Sequence, residues 1–351
     1  MAKTLPGSFV RLRPRVAVAA LALCFAAAAQ SQTPATPDTI EVIGVTPLPS
    51  DVNRLAANAQ TATAEQIRAQ GALDISDYLR RSSSSVFVNE AQSNPLQPDL
   101  QFRGFVGSPL LGLPQGLAVY QNGVRVNEPF GDTVNWALIP EAAIERVTLL
   151  PGANPLFGLN ALGGAIAIDT KSGFADPGTR AEVSAGSFDR TEVQVETGGA
   201  KNDRLGWFVT ASHFDEDGWR DFSPSRANQL FASLGLQSAR SSLDLSVTYA
   251  DTDLIGNGAA PEDLLESRSE AIFTRPDQTR NELAMFTVTG STKLANALTL
   301  TGNAYARRSD IRTLNGDDSD FEECASTPGF LCEGGGDDEE PLLDPNGDPI
   351  E

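Results

Sequence analysis

The chain has 351 residues, 40% of them hydrophobic, and carries 46 acidic against 26 basic side chains, for a formal charge of −20. The excess is concentrated: from Ile311 to Glu351 thirteen Asp and Glu stand against the single Arg312, so this stretch alone accounts for −12. No basic stripe balances it, which disfavours nucleic-acid partners, and with one histidine, His213, a zinc centre lacks ligands.

Residues 1–29 read as a secretory signal peptide. Lys3, Arg11, Arg13 and Arg15 form a basic start, Val16 to Ala29 is a short apolar core, and the small Ala27 and Ala29 allow cleavage before Gln30. That core is shorter than the roughly 20 residues a membrane helix needs, and bulky Leu23 before Cys24 suits lipoprotein processing badly. Removal of the leader leaves Cys324 and Cys332, an even pair in an exported protein with seven residues between them, which fits one small surface disulfide. Residues 30–60 are small and polar, with one exception. Asp38, Thr39, Ile40, Glu41, Val42, Ile43, Gly44 and Val45 make a short β-prone run with no local neighbour to pair with, and a lone strand is unstable by itself.

Residues 61–173 have the texture of a compact α+β unit. Thr63 and Gln66 form a capping box for a short helix over 63–70. A second helix over 74–81 starts at Asp74 and Asp77 and places Ile75, Tyr78 and Leu79 on one side. Strands are expected at 85–89 and 99–105. Then "LAVYQNGVRV" puts Asn122 and Gly123, residues that tolerate positive φ, between two β-prone runs, the signature of a type I′ hairpin. A strand at 145–150, a Pro151-Gly152 break, a glycine-rich loop and a strand at 164–170 close the unit.

Beyond Gly173 the pattern changes to alternation of period two without helices. Val193 and Val195 alternate with Glu192, Gln194 and Glu196, and Leu243, Leu245, Val247 and Tyr249 alternate with Asp244, Ser246 and Thr248. Seven such runs are expected, near 179–187, 190–199, 205–214, 228–237, 241–250, 281–291 and 296–309, each close to the length a tilted strand needs to cross hydrocarbon. A soluble β-sandwich gives the same alternation. The connectors discriminate: after a first tight pair they run short, long, short, long, short, very long, the asymmetry of a transmembrane barrel. Seven strands cannot close, and an open edge in lipid leaves backbone groups unsatisfied. The expectation is therefore a partial barrel at 174–351, the front part of a longer protein, ending in an acidic outward loop.

From Gln97 to Gly173 the chain resembles the plug domain of TonB-dependent outer-membrane receptors. The resemblance rests on Arg103-Gly104-Phe105, the hairpin "VYQNGVRVN" around Asn122 and Gly123, "IERVTLLPG" with Arg146, and "LFGLNALGGAIAIDTK" with Gly163 and Gly164. It implies a plug at 61–173 followed by about seven of an expected 22 antiparallel barrel strands. It also gives the isolated run a role: Asp38 to Val45, in a tether at 30–60, stands where this family carries the TonB box (about 38–46), which the periplasmic energy-coupling protein TonB captures as an added strand. One departure is Pro151, where many relatives carry an Arg that pairs with carboxylates on the barrel wall; Arg103 or Arg146 is left to serve that contact.

The resemblance implies a gated importer in the bacterial outer membrane, with outer-membrane lipid, TonB and a scarce small molecule as partners. A ferric siderophore leads on family frequency, with cobalamin, another metal chelate or an oligosaccharide open. Candidate ligand loops lie at 94–98, 108–114 and 127–136, the last offering Asn127, Phe130, Asp132, Asn135 and Trp136, although a plug loop packed on the wall fits the same residues. The alternative is a passive porin or adhesin barrel, which would share the strands without the plug or the box. Catalysis has little support, since no spacing pairs a nucleophile with a base, and "GLNALGGA" lacks the Lys and following helix of a phosphate-binding loop. No cofactor is expected. "DPNGDPIE" has carboxylates at alternate positions, but Pro349 stands where a calcium loop needs Gly.

Overall fold

The computed structural model describes residues 59–70, 75–90, 92–153, 157–295, 298–316, 321–324, 327–333, 340–344, 347 and 349–350, all within one compact unit. The leader at 1–29 and the run Asp38 to Val45 lie outside these residues.

The first part is an α+β unit built from β1 (Gln60–Thr63), α1 (Ala64–Ala69), α2 (Ile75–Ser82), β2 (Val86–Asn89), β3 (Asp99–Phe102), β4 (Phe105–Gly107), β5 (Leu117–Gln121), β6 (Val124–Arg125), β7 (Ile144–Pro151) and β8 (Gly164–Thr170). Helix α1 begins where the capping box places it: the Thr63 hydroxyl accepts from the Gln66 amide at 3.4 Å and the Gln66 side chain accepts from the Thr63 amide at 3.0 Å. Helix α2 buries Ile75, Tyr78 and Leu79, while Asp77 pairs with Arg80 and Arg81, each at 2.7 Å. The strands form two sheets, ordered β1-β7-β8-β5-β6 and β2-β3-β4. Leu100, Phe102, Leu117, Val119, Val147, Leu149, Ile166 and Ile168 are at most 1% exposed and meet in one core, each stabilising the unit by roughly 1.5–3 kcal/mol.

Three features differ from the sequence expectation. The run 99–105 is two strands: Arg103 (φ 52°) and Gly104 (φ 84°) turn the chain so that Phe102 pairs with Phe105. Gln60 to Thr63 is an edge strand on β7. Finally, the Asn122-Gly123 hairpin (φ 49° and 79°) has only a two-residue return strand, and the main partner of β5 is β8, in parallel register from Leu117 against Gly164 to Gln121 against Ile168.

The second part is a meander of seven antiparallel strands in sequence order: β9 (Gly178–Ala185), β10 (Thr191–Lys201), β11 (Leu205–Glu216), β12 (Ser225–Gln237), β13 (Ser241–Ile255), β14 (Asp277–Ala295) and β15 (Leu298–Asn315). Turns 202–204 and 238–240 at one end are brief; loops 217–224 and 256–276 at the other are long, and the latter holds α3 (Glu262–Ser267). The expected seven strands are all present. One face carries apolar rows in register, Val209, Ala232, Val247, Phe286, Ala306 and, two residues along, Trp207, Leu234, Leu245, Val288, Ala304. Towards the long loops these rows give way to charged pairs, Asp215 with Arg226 and Asp253 with Arg280, each at 3.1 Å. An outward apolar band is the pattern of a lipid-facing barrel strand.

The opposite face of the meander holds the α+β unit. The joining segment is short and pinned. The Phe174 ring lies over Gly206 and Gly235, cross-strand partners where an added Cβ would come within 2.8 and 2.7 Å of the ring, and Gly173 lies directly on the backbone of Trp207 and Gly199. After β15 the acidic stretch is not a plain loop: β16 (Glu322–Glu323), β17 (Leu331–Glu333) and β18 (Glu340–Pro341) form a small sheet, and Cys324 is bonded to Cys332 with a Cα–Cα separation of 5.1 Å.

Candidate functional site

The region where the α+β unit meets the wall sheet carries the polar chemistry. Loop 127–136 starts with Asn127, which finishes what the two-residue β6 leaves undone. Its Oδ1 accepts from the Val119 amide at 2.8 Å, and its Nδ2 donates to the Leu117 and Asp132 carbonyls at 2.9 and 3.1 Å. Asn135 donates to Glu128 at 3.2 Å and Trp136 to the Gly107 carbonyl at 3.0 Å, both from buried positions. Asp132 pairs with Arg125 at 2.8 Å, and Arg125 also donates to the Leu159 carbonyl at 2.9 Å, tying two apical loops together. Of the five residues singled out in this loop, Phe130 alone presents a largely free surface, 78% exposed.

The wall contacts are distributed along the strands. At the long-loop end, Asn94 donates to the Ser225 hydroxyl at 2.7 Å and the Ile255 carbonyl at 2.8 Å, and the Asn257 amide donates to the Gln92 carbonyl at 2.7 Å. Lower down, Gln121 donates to Thr248 at 3.0 Å and Gln229 to the Ala137 carbonyl at 2.7 Å. Towards the short-turn end Asn303 donates to the Gly123 carbonyl at 3.2 Å. Apolar contacts complete the junction: Val124 and Leu138 meet Ala250, Leu283 and Met285, and Ala143 meets Phe208 and Phe231.

Among the described residues, two ion pairs cross the junction, with opposite polarity. Lys171, just after β8, pairs with Glu196 of β10 at 2.5 Å, and Arg180 of β9 shares that carboxylate at 3.1 Å. Glu128 receives both terminal nitrogens of Arg307 on β15, at 2.9 and 2.6 Å. Neither arginine that the sequence put forward for this contact makes it: Arg103 packs over the Phe102 ring at 5.3 Å, and Arg146 pairs with Asp169 within the five-stranded sheet of the α+β unit at 3.3 Å. Glu128 escaped the sequence reading because its cation lies 179 residues away. The available signal was a carboxylate inside an otherwise apolar and amide-bearing loop. Gly163 donates to the Gly116 carbonyl at 2.9 Å, and Gly164 (φ 140°) has the Leu150 carbonyl where a side chain would stand, so only glycine opens β8.

Cavities line the junction between the helices and β9–β12. One of about 290 Å³ lies among Ile67, Arg68, Lys171, Arg180, Glu182 and Glu196, and a smaller one of about 70 Å³ continues past Glu141 and Glu192 to Leu96. At the short-turn side, Glu145 sits at a bulge in β7. Burial, reinforced by the Asp176 carboxylate, pushes its carboxyl up to about 7.

Residues 51–165 match the TonB-dependent Receptor Plug Domain family. Among solved structures, the chain is similar to the ferric yersiniabactin uptake receptor FyuA from Yersinia pestis (18% identity, TM-score 0.61, 75% of this chain and 42% of that one). It is also similar to the unliganded ferric citrate transporter FecA (13%, 0.63, 75% and 41%) and to the ferric-catecholate import receptor Fiu from E. coli K12 in its open form (15%, 0.61, 80% and 43%). At such identities the likeness is one of fold. The chain spans about two fifths of the length of these receptors. Comparison with curated proteins gives no match.

Proposed function

From the plug-domain match over residues 51–165 we propose that this chain is part of a TonB-dependent receptor and serves energy-coupled import of a scarce ligand across the bacterial outer membrane, with a ferric siderophore as the leading cargo. The observation that carries the reading is the seat of the plug. A globular unit with its own core is held on the inner face of an apolar-backed meander by bonds to β10, β12, β13 and β15. A passive pore has no use for such an obstruction. A ligand-gated importer does, because the plug links an outer ligand to an inner motor.

In this reading loops 94–98, 108–114 and 127–136 face the outside, and Asn94 anchors the first of them at the long-loop end. Asp38 to Val45 is the TonB box, captured by strand addition. The ferric-chelate receptors among the similar structures favour a siderophore cargo. Deleting residues 38–45 tests the proposal in iron-starved cells given radiolabelled ferric siderophores. Uptake should be lost while surface binding persists; uptake that survives the deletion would favour the passive alternative.

A further inference from the structure

The pair formed by Glu128 and Arg307 differs in kind from the neutral bonds between plug and wall, and it lies on a loop, whereas Lys171 and Glu196 pair beside the short joining segment. Glu128 is buried and Arg307 largely so, at 6% and 11% exposure, and the carboxylate is completed by Asn135 at 3.2 Å and the Ser309 hydroxyl at 3.4 Å. Apolar groups lie beside it: Met285 and Leu283, the cross-strand partners of Arg307 and Ser309, belong to the apolar cluster that Val124 and Leu138 of the plug complete. The contacts of Asn94, Gln121 and Gln229 join neutral groups, which exchange for water at little net cost. A bidentate ion pair in an apolar setting separates only by stranding a charge or admitting water. The same loop carries the exposed Phe130, and through Asp132 and Arg125 it grips the loop at Leu159.

We propose that Glu128 and Arg307 are the latch that seals the outer part of the plug against β15. They are positioning residues and not ligand contacts. Loop 127–136 moves away from the wall only when this pair opens, so the pair sets how firmly the resting receptor is closed. Its place in gating rests on the import reading; its role as a seal does not.

The full receptor, expressed in a Gram-negative host lacking the coupling protein, tests the seal without any cargo. The probe is vancomycin, which an intact outer membrane excludes. E128A and R307A should each lower the inhibitory concentration at least fourfold, because each strands one buried charge. E128A/R307A strands no charge but has lost the latch, so it should stay at least fourfold more sensitive than the parent. Heat-modifiable migration on gels verifies folding, and E128Q, which keeps the shape and removes the charge, replaces E128A if that variant fails to fold. Parental resistance in the folded single variants overturns the proposal, as does a double variant as resistant as the parent, which would show that a stranded charge and not the lost pair opened the singles. Since no TonB is present, loss of the import reading would leave this result standing, and the reverse holds too.

Discussion

Replacing Asn127 by Ala should loosen the centre of the plug without touching its hydrophobic core. The side chain makes three bonds, at 2.8, 2.9 and 3.1 Å, to groups that have no strand beside them once β6 stops. A neutral hydrogen bond is worth about 1 kcal/mol net, and a buried backbone group left unpaired costs about 1–3 kcal/mol. Val119 and Leu117 are at 0% and 1% exposure, so water cannot take over without local opening. The expected cost is roughly 3–5 kcal/mol. At about 1.4 kcal/mol per tenfold, exchange of the Val119 amide should then accelerate by about 100-fold to several thousand-fold. Hydrogen exchange read by mass spectrometry on the peptide covering 117–126, in the full receptor, measures it. Unchanged exchange would refute the structural role, and weakened ligand binding with unchanged exchange would return Asn127 to the ligand site.

Two further outcomes follow from the wall and the bulge. Leu234→Arg, in the apolar row between Trp207 and Leu245, should destabilise the lipid-inserted receptor by about 2–4 kcal/mol; a urea titration in vesicles with an unmoved midpoint would remove that row from hydrocarbon. Glu145, with its carboxyl raised from the usual 4.5 to about 7, contributes stability that is fully present below about pH 4.5 and lost as pH rises through 7. The thermal midpoint of the plug should therefore fall across that window, and Glu145→Gln should flatten the slope; parallel slopes for the two proteins would show that Glu145 does not titrate there.

Much of the fold is legible because it is encoded locally. The capping box at Thr63 and Gln66 and the turn at Asn122 and Gly123 are decided by neighbours three residues apart or fewer, and the wall strands announce themselves by alternation wherever one face meets lipid and the other the plug. The break at Arg103 and Gly104 was hidden because apolar residues flank it on both sides, and Arg rarely adopts positive φ. The parallel pairing of β5 with β8 joins residues 47 apart, and sequence periodicity holds no record of which strand lies beside which. The same limit hid Glu128. Its environment is made by β15, and nothing near it in the chain specifies a cation.

The anchorage of Phe174 restricts what the plug can do. Between Thr170 and Gly178 lie seven residues, a reach of roughly 25 Å even if drawn taut, and the ring on Gly206 and Gly235 shortens it further. The carboxyl end of the stopper is thus on a leash too brief for it to drift clear of the lumen. Excursions must swing about this pivot or unravel from the opposite terminus, and reclosure is a search over a few ångströms at high effective concentration, with no need to find the mouth again.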